Sequence, residues 1–128
     1  MKQIIFSKDA PAPIGPYAQG ILAGNTLYCS GQIPLDAVSG AMCGETVAAQ
    51  TEKVLKNLKA VLAAAGLTFD DIVKTTCYLT DMNGFAEFNE AYSKFFTKPH
   101  ARACVAVKAL PKGALVEIDA IAVKFSEK

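Results

Sequence analysis

The stretch LVEIDAIAVKF, residues 115–125, constrains the fold more than any other part of the chain. Successive side chains of an extended strand point to opposite faces. Val116, Ile118, Ala120 and Ala122 therefore share one side, and Glu117 and Asp119 share the other. The second side is no ordinary solvent face, because Leu115, Ile121, Val123 and Phe125 flank the two carboxylates. A sheet holding this strand needs cover on both faces.

Two helical segments supply cover for one face. Between Thr46 and Ala65 the apolar period becomes helical, with Val47, Thr51, Val54, Leu58, Val61, Leu62 and Ala65 in one stripe and Lys53, Lys56 and Lys59 facing away. Gly66 is placed to end this helix in the left-handed conformation. Asp81 is a helix N-cap before NGFAEFNEAYSKFF, whose stripe is Phe85, Phe88, Tyr92, Phe95 and Phe96, ending near Pro99. The remaining elements are extended. KQIIF opens the chain, YAQGILAG and TLYCSG join at Gly24-Asn25 as a hairpin, and IVKTTCYLT is rich in β-branched residues. ARACVAVKA and LVEIDAIAVKF close the chain, and GQIPLDAVSGAMCGE is a loop. The order is β-β-β-α-β-α-β-β, an α+β sandwich with two helices on one face of a sheet. The other face then calls for oligomerisation.

With 128 residues the chain has the size of one domain spanning 1–128. A net charge of +1 with no run of like charges gives no footprint for phosphate backbones, so nucleic acid is not an expected partner. No segment approaches a membrane span and the N-terminal apolar stretch is too short for a signal peptide, which leaves the cytoplasm as the expected location. Cys29, Cys43, Cys77 and Cys104 are too widely spaced for a zinc or redox motif and read as free thiols. His100 is the one histidine, so a histidine-ligated metal cluster is excluded, and a Ser-His-Asp triad would have to use this loop residue. No metal site and no phosphate loop is expected.

Chemistry is therefore sought among polar residues in apolar surroundings. Arg102 opens the apolar run RACVAV, which reads as a buried strand, with Cys104 on its own side and Val105 and Val107 on the other. One reading pairs Arg102 with Glu117 or Asp119 in a structural ion pair. The other gives it a ligand carboxylate, which the planar guanidinium can grip with two parallel hydrogen bonds. If the last two strands form a hairpin around LPKG, Glu117 falls opposite Ala106 or Lys108, too far from Arg102 for a direct bridge. IGPYAQG and CSGQIP are further candidates. Tyr17 is either a half-buried core residue or part of a pocket, and Ser30-Gly31 alone is a turn signal.

Taken together the segments IGPYAQG (14–20), SGQIP (30–34), NLKAVLAAAGL (57–67), DIVKTTCYLTD (71–81), FAEFNEAYSKFF (85–96), RACVAV (102–107) and LPKGALVEIDAIA (110–122) resemble the RidA (YjgF/UK) family almost end to end. That resemblance implies a chorismate-mutase-like subunit with a mixed sheet, in a homotrimer with clefts between subunits. It implies cofactor-free hydrolysis of small 2-imino acids, tautomers of enamino acids released by pyridoxal-phosphate enzymes, to 2-keto acids and ammonia. Ribonuclease or translation-inhibitor activity, and non-catalytic binding of 2-keto acids, are the alternatives. By motif, Arg102 would clamp the substrate carboxylate, Glu117 would position or activate water, and Tyr17 would line the pocket. Ser30, Gly31, Asn89 and the main chain at Cys104 would contact ligand. The family usually carries a longer loop before the arginine, ending Pro-Ala-Arg. Here FFTKPHARAC is shorter and has His100 at the proline's place.

Overall fold

The computed structural model describes residues 2–125. Six strands form one sheet: β1 (Lys2–Ile5), β2 (Gly20–Ala23), β3 (Thr26–Gln32), β4 (Ile72–Leu79), β5 (Ala101–Ala106) and β6 (Val116–Val123). Two helices, α1 (Val47–Ala64) and α2 (Phe85–Ser93), complete the β-β-β-α-β-α-β-β order. The spatial order is β1-β2-β3-β6-β4-β5, antiparallel throughout except for the parallel β4–β5 pair.

Local signals account for the element ends. The β2–β3 hairpin turns at Gly24-Asn25, where Gly24 takes a φ of 61° that a two-residue hairpin loop favours. Thr46 caps α1 by accepting from the Ala49 amide. At its other end the Leu67 amide reaches back to the Leu62 carbonyl across Gly66. Asp81 caps a 3-10 turn at Met82–Gly84 rather than α2 itself, and α2 begins directly after it. This second helix ends at Ser93, short of Pro99, and Phe95 and Phe96 pack edge-on against Phe69 in the exit loop.

The helices cover one face. On β6, Val116, Ile118, Ala120 and Ala122 are buried, and on β4 so are Thr75, Cys77 and Leu79, in one core with Val54, Leu58, Val61, Leu62, Phe88 and Tyr92. The opposite face is open. Ile4, Ile21, Tyr28 and Ile121 lie in register across four strands there, with Ile4 70% and Tyr28 51% exposed.

Two expectations need correction. β5 and β6 do not form a hairpin: the chain between them crosses so that β6 sits between β3 and β4, and β5 lies parallel to β4 at the sheet edge. The eight residues of β6 instead pair antiparallel on both edges, with β3 and β4. For the same reason β5 is not the buried strand its composition suggests. As the outer strand it is mostly exposed in the single chain.

Candidate functional site

Arg102 projects from β5 on the helix-covered side, because its backbone partner Thr75 is a core residue of β4. There it meets α2. Phe85, Asn89 and Tyr92 are spaced four and three residues apart and so share one helix face. The Arg102 Nη1 donates to Asn89 Oδ1 at 2.8 Å. Its Cζ lies 5.0 Å from the Tyr92 ring centroid and 5.6 Å from that of Phe85. Such aromatic faces favour a cation at this range. Among the described residues the guanidinium thus has an amide oxygen and two ring faces as partners, and no carboxylate. It rims a hollow of about 330 Å³ with Tyr92, Phe96, Lys98 and His100. Cys104 follows on the same side, half-buried and in register with Cys77.

A second cluster forms around a β-bulge. Between Cys29 and Gln32 β3 carries one residue more than β6, where Ala120 to Ile118 is matched. Such bulges re-aim the strand they interrupt. Here Ser30 turns back to the arm that precedes β2. Its amide donates to the Gln19 carbonyl at 2.9 Å, and its hydroxyl donates to the Ala18 carbonyl at 2.6 Å. Gly31 lies under Glu117: a Cβ at this position would overlap Glu117 Oε2 and sit 2.9 Å from its Cδ. Gln19 pins the arm, donating to the Ser7, Ala10 and Pro11 carbonyls and accepting from the Ser7 amide. Tyr17, Ser30, Gly31, Ile33, Lys112 and Glu117 line one groove of about 510 Å³. Lys112 on its rim holds a left-handed φ of 58°, rare for a residue with a side chain.

Burial raises the Glu117 carboxyl above its ordinary range, and the neighbouring Asp119 charge adds to the rise. Asp119 itself accepts a hydrogen bond from Tyr78 Oη at 3.2 Å. A carboxyl raised in this way holds its proton more firmly than an exposed one.

The two clusters are held apart within one chain. Arg102 aligns with Thr75 and Glu117 with Tyr78, two strands and three residues away, which is roughly 14 Å along the sheet. They also point to opposite faces, since Thr75 is buried under the helices and Glu117 alternates with the core residues of β6. Within one chain, Arg102 therefore forms no structural ion pair with Glu117 or Asp119. Of the sequence candidates, Arg102, Asn89 and Cys104 gather on one side and Tyr17, Ser30, Gly31 and Glu117 on the other. Sequence reasoning read Tyr92 and Phe85 only as core stripe. Their spacing with Asn89 was the available signal that all three address one point.

Residues 7–124 match the endoribonuclease L-PSP family. A RutC family protein of Pyrococcus horikoshii is 51% identical over 126 residues, covering 97% of this chain and 99% of its own length. A 2-iminobutanoate/2-iminopropanoate deaminase of Salmonella typhimurium is 48% identical over 128 residues, covering 97% and 99%. The crystal structure of Escherichia coli TdcF with bound serine superposes with a TM-score of 0.92 at 42% identity, covering 96% of this chain and 99% of that one. The matches run through β3, α1, α2, β5 and β6 alike, so both residue clusters fall inside them. The chain belongs to the endoribonuclease L-PSP family, which is also that of the RidA/YjgF proteins.

Proposed function

We propose that the chain is a cofactor-free deaminase that hydrolyses small 2-imino acids to 2-keto acids and ammonia. The observation that carries this reading is Arg102, whose guanidinium is oriented by Asn89, Tyr92 and Phe85 yet lacks a carboxylate partner among the described residues. A substrate carboxylate would complete it through a bidentate pair. Relatives named as imine deaminases support the same class of chemistry. Glu117, raised by burial, would hold water against the imine carbon and pass a proton to the leaving ammonia. Tyr17, Ser30 and Gly31 would close the pocket around it. Fixing water and imine in register supplies much of the acceleration.

Because one chain separates Arg102 from Glu117, the reaction needs a second copy to bring the Arg102 side of one subunit against the Glu117 groove of another. The open sheet face, with its apolar row at Ile4, Tyr28 and Ile121, is the surface such copies would bury. A homotrimer provides three such clefts.

The test follows the decay of freshly generated 2-iminobutanoate with the wild type, Arg102→Ala and Glu117→Ala. Both variants should lose at least about a hundredfold in rate, as removal of an orienting or proton-transfer group commonly does. No acceleration over buffer by the wild type would reject the deaminase. A second reading takes the family's ribonuclease name literally. Cleavage of single-stranded RNA that is abolished by Arg102→Ala would favour it, and cleavage unchanged by that substitution would assign it elsewhere.

A further inference from the structure

His100 stands outside the reaction as described, yet its contacts lead to the residue that grips the substrate. Its Nε2 lies 2.6 Å from Tyr92 Oη, and its Nδ1 lies 3.3 Å from the Lys98 carbonyl. Tyr92 Oη is in turn 2.7 Å from Thr75 Oγ1, and Cys77 Sγ donates to Thr75 Oγ1 at 3.9 Å. A carbonyl can only accept, so in the neutral imidazole the proton sits on Nδ1 and Nε2 is the acceptor. The hydrogen bonds then all run one way. The Thr75 hydroxyl donates to Tyr92, and the Tyr92 hydroxyl donates to His100. The His100 ring also packs on Phe96 at 4.3 Å, and Phe96 stacks on Tyr92 at 4.5 Å.

We infer that His100 is a positioning residue for substrate binding: by accepting from Tyr92 it fixes the ring face on which the Arg102 guanidinium rests. This inference rests on the reading of Arg102 as the carboxylate grip. Tyr92 is 3% exposed, so its hydroxyl relies mainly on protein partners. Without Nε2 its proton must swing back to Thr75, whose own proton is then displaced, and a buried hydroxyl left short of a partner shifts the ring that carries it. Arg102 sits 5.0 Å above that ring and would lose its alignment with Asn89. The effect is expected on carboxylate affinity rather than on the chemical step, because His100 acts through Tyr92 and Arg102 and touches neither Glu117 nor its groove within the chain.

The test uses the full chain and 2-iminobutanoate. His100→Phe keeps an aromatic ring on Phe96 and removes the acceptor, whereas His100→Gln offers an amide oxygen to Tyr92. His100→Phe and Tyr92→Phe should each raise KM about five- to tenfold, the value of one hydrogen bond, with kcat changed less than about twofold. His100→Gln should return KM to within about twofold of the wild type. A folded His100→Phe with unchanged KM, or one whose kcat falls as far as KM rises, overturns the inference. The chain has one histidine, so its imidazole carbon-bound protons give NMR signals that need no assignment. Adding 2-oxobutanoate should shift them in the wild type and not in Arg102→Ala. Absence of any shift at saturating 2-oxobutanoate also overturns it. Arg102→Ala with full activity would instead reject the Arg102 reading itself, whereas a dead Arg102→Ala beside an unaffected His100→Phe rejects the positioning role alone.

Discussion

At the scale of single residues, Glu117 is held in a state that works against stability at neutral pH. Burial keeps its carboxyl protonated in a pH window where the unfolded chain has already released the proton. The stability that this group contributes is therefore fully present below the ordinary carboxyl value and is lost as pH rises through the raised one. Glu117→Gln removes that loss and should melt above the wild type at about pH 7, with the difference vanishing near about pH 3, while the proposed deaminase activity should be lost. Gly31 makes a complementary prediction. Gly31→Ala drives a methyl group into the Glu117 carboxylate, so kcat should fall by about tenfold or more while Arg102 is untouched. Thiol chemistry separates the four cysteines as well. Burial pushes the Cys29 and Cys77 thiols up to about 12, so a thiol reagent should modify no more than Cys43 and Cys104 until the chain is denatured.

At the scale of elements, the arm between β1 and β2 carries Tyr17 but has no regular structure of its own. Its order comes from Gln19, 2% exposed and joined to Ser7, Ala10 and Pro11. Gln19→Ala leaves those groups, of which the Ala10 carbonyl is buried, unpaired and should cost about 2–3 kcal/mol in denaturant unfolding, with a higher KM as Tyr17 loses its place. Such elements differ in how far sequence discloses them. The helices and the hairpin at Gly24-Asn25 were legible because period and turn chemistry are local. The parallel pairing of β5 with β4 was not, because both a hairpin and a crossover satisfy the pattern in RACVAV and LVEIDAIAV. Which strands flank β6 is settled by contacts distant in sequence, with β3 and β4, that neither segment discloses. The placing of the two candidate clusters on opposite faces was hidden for the same reason, since faces can be assigned within a strand but not related between strands before their neighbours are known. Gln19 and the Tyr92 relay depend on contacts 8 to 17 residues away and leave no periodic trace.

At the scale of the whole molecule, a site divided between copies can be tested by mixing defects. Arg102→Ala and Glu117→Ala chains, each inactive alone, are unfolded together in equal amounts and refolded. A cyclic assembly with one cleft per neighbouring pair would then have about one quarter of its clefts built from two intact halves. About that fraction of wild-type activity should return, while refolding either variant alone restores none. Activity that stays at zero in the mixture would place Arg102 and Glu117 in separate tasks.

The contact between Gly31 and Glu117 also bears on how such chains can diverge. Position 31 and position 117 are 86 residues apart in sequence but occupy one volume. A side chain cannot be acquired at 31 while a glutamate is kept in place at 117. Relatives that have abandoned the acid are thus free to fill position 31, and those that keep it are not. Across an alignment the two columns should vary together, and a residue larger than glycine at the first would mark a chain whose chemistry has changed before any assay is run.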